Sequence, residues 1–472
     1  MAASTNRRVH EPYVFAALAF ALTAGFGLAA ILVGVLPIGI PLGAWWVASV
    51  QAHGHAQLFG WAGLFVLGVG LFFLPRLRGT VLARPELAPW ALVCFVVGIT
   101  LRALSQLLLG ILAGNGSLES SWGFVGRSGL VLSGILELAG AVLVVVMLRT
   151  SFRRGRPLAP DAPILLVRPY LATAFISFGL GILLNVALAI STAFSGSFLY
   201  PSAWDDALTH LLISGFIVPI ALSLSIRNLP LFMRLAFPPK GALLPILASY
   251  VIGLILRTAG SVSEQTFSLS ILTGIGSVLE GGALLVFIWE FDVLLRRKQP
   301  WITSRTPPPP GYVETRKPTR KHYPDYGEFG RFELLIISAY AWLAFASIVA
   351  VLNGVAILAG IPALSIGGAG TPILNPDIER HAMTLGFITL LIFGMAARML
   401  PGFSGKARVA STRLVMATFW LGNSATVFRI APLLAPDLMG ANVALGVSGI
   451  IGWLAVACLA INLWRTFRSG AK

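Results

Sequence analysis

Residues 51–76 read QAHGHAQLFGWAGLFVLGVGLFFLPR: two histidines, one residue apart, open an apolar run of membrane length in a chain with six histidines. A helix needs about 20 consecutive apolar residues to cross a bilayer. The sequence holds twelve such runs, roughly 13–36, 51–74, 88–109, 124–148, 167–190, 205–226, 243–260, 269–292, 332–358, 380–400, 411–430 and 440–465. Only 11% of the 472 residues are charged, against about 25% in a soluble domain. Strands of a membrane barrel would be short and alternating, and these runs are neither. The fold class expected is an all-α polytopic membrane protein with twelve transmembrane helices. The start, MAASTNRR, leads directly into the first run with no small-residue cleavage site, so no removable signal peptide is expected.

A formal net charge of +16 raises the question of nucleic acid. The distribution argues against that partner. Most of the 34 lysines and arginines fall at the N-terminus and after runs two, four, six, eight, ten and twelve, while a loop such as STAFSGSFLYPSAWDD has none. Cytoplasmic loops collect Lys and Arg, so both termini are expected in the cytoplasm, in the inner membrane of a bacterium. Cys94 and Cys458 lie far apart inside apolar runs and belong to no CxxC or CxxCH motif. They read as small buried apolar side chains, and neither a zinc ribbon nor a covalently attached haem is indicated.

The opening stretch has two relatives downstream. His55 is followed by Gly60 and Pro75, His210 by Gly215 and Pro230, and His381 by Gly386 and Pro401, with the same offsets each time. The next run then carries Arg102, Arg257 or Arg429, 47 or 48 residues after the histidine. Runs four and eight add Glu137 and Glu280, whereas run twelve has Trp453 at that place. Such self-similarity points to three four-helix units: 1–156, 157–300 and 332–472. A basic, Pro-rich linker over 301–331 precedes the third and is expected to be extended and cytoplasmic; its His322 is expected to be solvated. An even number of helices returns each unit to its starting side, so the units would be parallel, related by an axis along the membrane normal.

In that topology the repeated histidines share one depth near the outer face, with the repeated arginines beside them. Interfacial helix-start residues are the plain reading. Neutral imidazole is also the commonest side-chain metal ligand and the usual axial ligand of haem, and a layer of histidines from three helices favours a haem or metal role. His53 and His55 are about 200° apart around a helix, so they cannot both face one centre. Arg102, Arg257 and Arg429 are candidates to hold haem propionates, or else to pair with Glu137 and Glu280 within the membrane. Those two carboxylates could also carry protons.

At these residues the sequence resembles a known group. Twelve helices in three parallel units, with histidines on helices two, six and ten, resemble subunit I of the haem–copper oxidases and nitric oxide reductases. The motifs HGHAQLFGWAGLFVLGVGLFFLPR and RHAMTLGFITLLIFGMAARMLPGFSG look more like the NnrS family, a related branch associated with nitric oxide and described as binding haem and copper. The resemblance covers most of the chain. It implies a haem, of b type, ligated by His55 or His53 and by His381, and a copper at His210. There are departures. The seventh run, LLPILASYVIGLILRTAGSV, lacks the paired copper histidines, the tenth has one histidine where oxidases have two, and Ser214 stands where oxidases have tyrosine. Four-electron oxygen reduction is therefore not expected.

The expected function is a haem protein, with or without copper, that handles nitric oxide or nitrosative stress. One rival is a catalytic oxidoreductase subunit fed by a small redox donor protein. Another is a histidine-lined ion transporter or channel. The lipid bilayer is a partner under every reading.

Overall fold

The computed structural model describes residues 8–155, 157–159, 162–262, 267–298, 327–361, 374–437 and 439–469, without the side chains of 163 and 267–269. No strand occurs among them. Most of the linker, His322 and the loop at Glu264 lie outside the described residues.

Among the described residues twelve helices are long and apolar enough to span a membrane. They are α1 His10–Gly34, α2 Ala44–Leu77, α3 Pro85–Gly114, α4 Ser121–Arg154, α5 Ile164–Ser195, α6 Ser202–Met233, α7 Lys240–Val262, α8 Ser270–Phe291, α9 Phe332–Leu358, α10 Pro376–Phe403, α11 Thr412–Leu434 and α12 Ala441–Arg468. The protein is embedded in a membrane, as its runs indicate. Several helices exceed those runs. α2 begins seven residues before the expected run because Trp45 and Trp46 continue the helix, and Trp46 Nε1 donates to the Leu32 carbonyl at 3.0 Å. His53 therefore lies about 13 Å inside the start of α2 at 1.5 Å per residue, and His381 about 8 Å inside α10. Neither is a helix-start residue.

Burial separates the helices into two classes. The most apolar windows of α2, α6 and α10 are 83%, 78% and 78% buried, against 33–50% for the other nine. The outer helices pack in sequence, α3 on α4, α4 on α5, α7 on α8, α8 on α9 and α11 on α12, and α12 returns to α1. The three central helices line one apolar cavity of about 50 Å³ with matched positions: Phe65 and Val69, Ile220 and Leu224, Leu391 and Met395, each pair 10 and 14 residues after its histidine. A drug-sized ligand needs roughly 300 Å³ or more, so this small cavity is the packed centre of the bundle.

Immediately after each histidine the helix widens into a π-type segment: Ala56–Gly63, Leu211–Ile217 and Ala382–Thr389. Such segments are rare and frequently sit at functional sites. The glycine five residues after each histidine falls inside the widened turn, where the central helix meets the first helix of its expected unit. A Cβ on Gly60 would lie 2.8 Å from Phe20 Cβ of α1, one on Gly215 2.7 Å from Ser177 Cβ of α5, and one on Gly386 2.6 Å from Trp342 Cγ of α9. The prolines mark the far ends of these helices, two or three residues before the last helical residue.

Close approach at Gly386 sets up a direct comparison. Gly386→Ala should destabilise by about 1–3 kcal/mol, the usual cost of overpacking. Gly402→Ala, later in α10 and with nothing within 4 Å of an added Cβ, should change little. Thermal unfolding of the two variants in detergent checks this, and equal melting temperatures would remove the packing role of the repeated glycine.

Candidate functional site

Residues Ala44–His55 form regular α-helix, so His53 and His55 leave α2 on different sides. His55 is 7% exposed, and its Nε2 lies 2.8 Å from Glu137 Oε1 of α4. Its ring stacks on Phe59 with centroids 4.4 Å apart. The other Glu137 oxygen accepts from Asn185 Nδ2 of α5 at 3.1 Å, and the Tyr200 hydroxyl reaches Asn185 Oδ1 at 3.3 Å. A buried polar chain thus runs from α2 through α4 to α5. A carboxylate only accepts, so Nε2 of His55 carries the proton shared with Glu137.

His53 turns toward α1 instead. Its Nδ1 lies 3.0 Å from the Gly25 carbonyl, inside the π-type segment Ala21–Gly25. A carbonyl can only accept, so Nδ1 donates, and a neutral ring keeps its lone pair on Nε2.

On α6, His210 Nε2 faces Glu280 Oε2 of α8 at 3.2 Å, without the alignment of a hydrogen bond. Arg257 of α7 completes the cluster. Its Nη1 lies 3.5 Å from Glu280 Oε2, and its two terminal nitrogens grip Glu379 of α10 at 2.6 and 2.9 Å. A histidine facing a carboxylate from the fourth helix therefore occurs at His55 and at His210.

His381 differs because Trp453 occupies the corresponding place on α12. That indole turns away and donates to the Leu22 carbonyl of α1 at 2.9 Å. His381 Nδ1 instead lies 2.8 Å from the Asp377 carbonyl one turn earlier in α10. Its ring is held as that of His53 is, with Nδ1 donating to the main chain and Nε2 left as acceptor. Arg429 of α11 carries its charge in the same region, where the Asp377 carboxylate offsets it in part, and its buried Nε has no hydrogen-bond partner.

Two of the repeated arginines reach into the next part of the chain. The Arg102 guanidinium, on a residue 1% exposed, stacks 3.7 Å from the Tyr200 ring centroid, with Nε and Nη1 unpartnered. Arg257 reaches forward to Glu379. The two further arginines at this end tie elements together: Arg127 Nη1 donates to the loop carbonyls of Leu118 and Gly196, each at 3.3 Å, and Arg380 of α10 pairs with Asp206 of α6 at 3.0 Å.

The donor sets decide what each place could hold. His210 and Glu280 offer two donors beside a guanidinium. No group of three or more His, Cys, Asp or Glu side chains able to hold a metal occurs among the described residues. A copper at His210 thus lacks a third ligand there. At His53, His381 and Arg429 the residue types do fit a haem. Two imidazoles have their tautomer fixed from behind by main-chain carbonyls, the usual arrangement behind a ligating histidine, and Arg429 of α11 has a buried Nε without a hydrogen-bond partner. Arg257 is committed to two carboxylates, which leaves Arg102 and Arg429 as cations for propionates. Cys94 and Cys458 are free and half-buried.

Asn185, Tyr200, Glu379 and the Asp377 carbonyl belong to these networks and were not singled out from the sequence. Asn185 could have been flagged, since a polar side chain inside an apolar run needs a partner. Glu379, two residues before His381, could have been flagged as the acid nearest a repeated histidine. Nothing in the sequence marks Tyr200 or the Asp377 carbonyl. No protein-family model matches the sequence, and no curated protein matches it.

Proposed function

We propose that this protein is a haem-binding membrane protein that handles nitric oxide, with His53 and His381 as the axial imidazoles. The observation that carries the reading is that both rings donate Nδ1 to a main-chain carbonyl and so keep Nε2 as an acceptor. Assignment to nitric oxide rests on the resemblance of the HGHAQ and RHAMT motifs. When bound, the haem would supply one-electron redox chemistry and affinity for diatomic gases. The chain's own residues do the rest. The Gly25 and Asp377 carbonyls fix the ring orientations and raise the basicity of Nε2. Arg429, with Arg102, offers positive charge to propionates. His55 holds a proton at Nε2 against Glu137 on the far side of α2.

The same reading includes three related four-helix units around α2, α6 and α10. It is supported by the matched π-type segments, the matched glycine contacts and the shared central cavity. These central helices widen without breaking, which favours a fixed cofactor scaffold over the broken helices typical of transporters.

An absorption spectrum of protein purified from haem-replete cells tests the proposal. Six-coordinate iron with two imidazoles should give sharp visible bands on reduction, and adding nitric oxide should change them. Absence of haem bands overturns the assignment, while bands insensitive to nitric oxide overturn the second half alone.

Orientation is a separate part of the proposal: termini and basic loops in the cytoplasm of a bacterial inner membrane. With Cys94 and Cys458 replaced, a cysteine introduced at Ser195 should react with an impermeant maleimide on intact cells. One introduced in the 301–331 linker should not react until the cells are opened. The opposite pattern would invert the topology.

A further inference from the structure

A sizeable cavity lies at the opposite end of the bundle from the repeated histidines, in a groove between α2, α4 and α5. It measures about 450 Å³ and has apolar walls that include Val145, Phe152, Leu171 and Phe175. Three arginines also line it: Arg78 just past the end of α2, Arg149 near the end of α4 and Arg168 near the start of α5. All three come from the same end of their helices, so the positive charge gathers at one end of an apolar slot.

None of the three takes part in an ion pair among the described residues. Arg78 is placed by its own main chain, with Nη2 donating to the Gly155 carbonyl at 3.2 Å. Arg149 and Arg168 are exposed. Arg153 and Arg154 follow in the last turn of α4 and add to the positive field. Three cations in one place repel one another unless an anion sits among them, and among the described residues this groove has no carboxylate in its lining.

We propose that this groove is a binding site for an anionic phospholipid. An acyl chain lies along the apolar wall and the phosphate sits among Arg78, Arg149 and Arg168. The occupant is committed by two features together. Charge complementarity calls for an anion, and a slot continuous with the bilayer core calls for a hydrocarbon tail, which free phosphate lacks. Basic pockets between transmembrane helices favour anionic headgroups in this way. The site is independent of the haem reading and stands or falls without it.

Native mass spectrometry of the full chain tests the proposal, after delipidation and addition of phosphatidylglycerol or phosphatidylcholine at equal concentration. Wild-type protein should retain phosphatidylglycerol at least about tenfold better. Each Arg→Gln substitution at 78, 149 or 168 should weaken that preference about fivefold, from the typical contribution of one basic residue near a charged headgroup. R149K/R168K should keep the preference, because charge is conserved. A172W should reduce lipid binding by filling the slot while leaving the arginines in place. Inorganic phosphate in large excess should not displace the lipid. Equal retention of the two lipids overturns the proposal. So does an unchanged preference in the triple Gln variant, and so does displacement by phosphate alone, which would make the site one for a free anion. Circular dichroism and size exclusion of each variant exclude misfolding as the cause of lost binding.

Discussion

His381→Ala should abolish the low-spin haem spectrum, and His53→Ala should do the same, while His55→Ala should leave it in place. The first two remove an imidazole whose Nδ1 is anchored on a main-chain carbonyl at 2.8 or 3.0 Å, which leaves Nε2 as the ring's acceptor. No other histidine lies on α10 to substitute. Losing a supporting partner behind a ligand typically costs about 10–100-fold in affinity, so losing the ligand itself should exceed about 100-fold and empty the site on purification. His55→Ala should instead cost stability. It leaves the Glu137 carboxylate buried with Asn185 as its remaining partner, and breaking a buried pair typically costs about 3–5 kcal/mol. Reduced-minus-oxidised spectra of the three variants separate these outcomes. Loss of the bands in His55→Ala with retention in His53→Ala would exchange the two assignments. Retention in all three would leave the histidines with a purely structural role.

Arg257→Leu should give the largest stability loss of any substitution at a repeated arginine, about 3–5 kcal/mol, with bound haem unchanged. It leaves the carboxylates of Glu280 and Glu379 near each other without the guanidinium that lies 3.5 and 2.6 Å from them. The double variant Arg257→Leu with Glu379→Gln should recover part of the loss, because one of the stranded charges goes with it. Arg102→Leu provides the contrast: two of its nitrogens are unpartnered already, so its removal strands no directly paired carboxylate. Thermal unfolding of the haem-free forms in one detergent makes the comparison. A melting temperature for Arg257→Leu within error of wild type would show that its carboxylates are neutral, and the ion-pair account would fail.

The sequence made some of this legible and left the rest unmarked, for identifiable reasons. Membrane runs are visible because about 20 apolar residues are a strong signal, and all twelve appear as helices. Helix limits are less legible, because the expected run starts at residue 51 while Trp45, Trp46 and the stretch before it continue the helix from Ala44. The offsets from His55, His210 and His381 to glycine correspond to real close contacts, since a missing Cβ is a constraint that sequence records directly. Side-chain direction is not recorded that way. Whether His53 or His55 keeps a free Nε2 depends on Glu137 and on the Gly25 carbonyl, contacts made across helices. The sequence left propionate binding and ion pairing open for the repeated arginines. The structure pairs Arg257 with carboxylates, but its closest partner is Glu379 and not Glu280 alone. The π-type segments have no sequence signature beyond the glycine they surround.

The return of α12 to α1 has a consequence for biogenesis. Trp453 and the Leu22 carbonyl are joined across 431 residues, and His10 Nε2 meets Ser404 Oγ at 3.1 Å across 394. Contacts this distant cannot form until synthesis is nearly complete, since chains are made from the N-terminus at roughly 5–20 residues per second. On the haem reading His53 is inserted early, whereas His381 and Arg429 follow only when the last third of the chain has been made and docked. A ribosome must therefore finish nearly the whole protein before both imidazoles and Arg429 exist together. A chain truncated after the second unit would carry one of the two proposed ligand imidazoles and no means to close the seam, so on the proposed reading haem loading would report that assembly is complete.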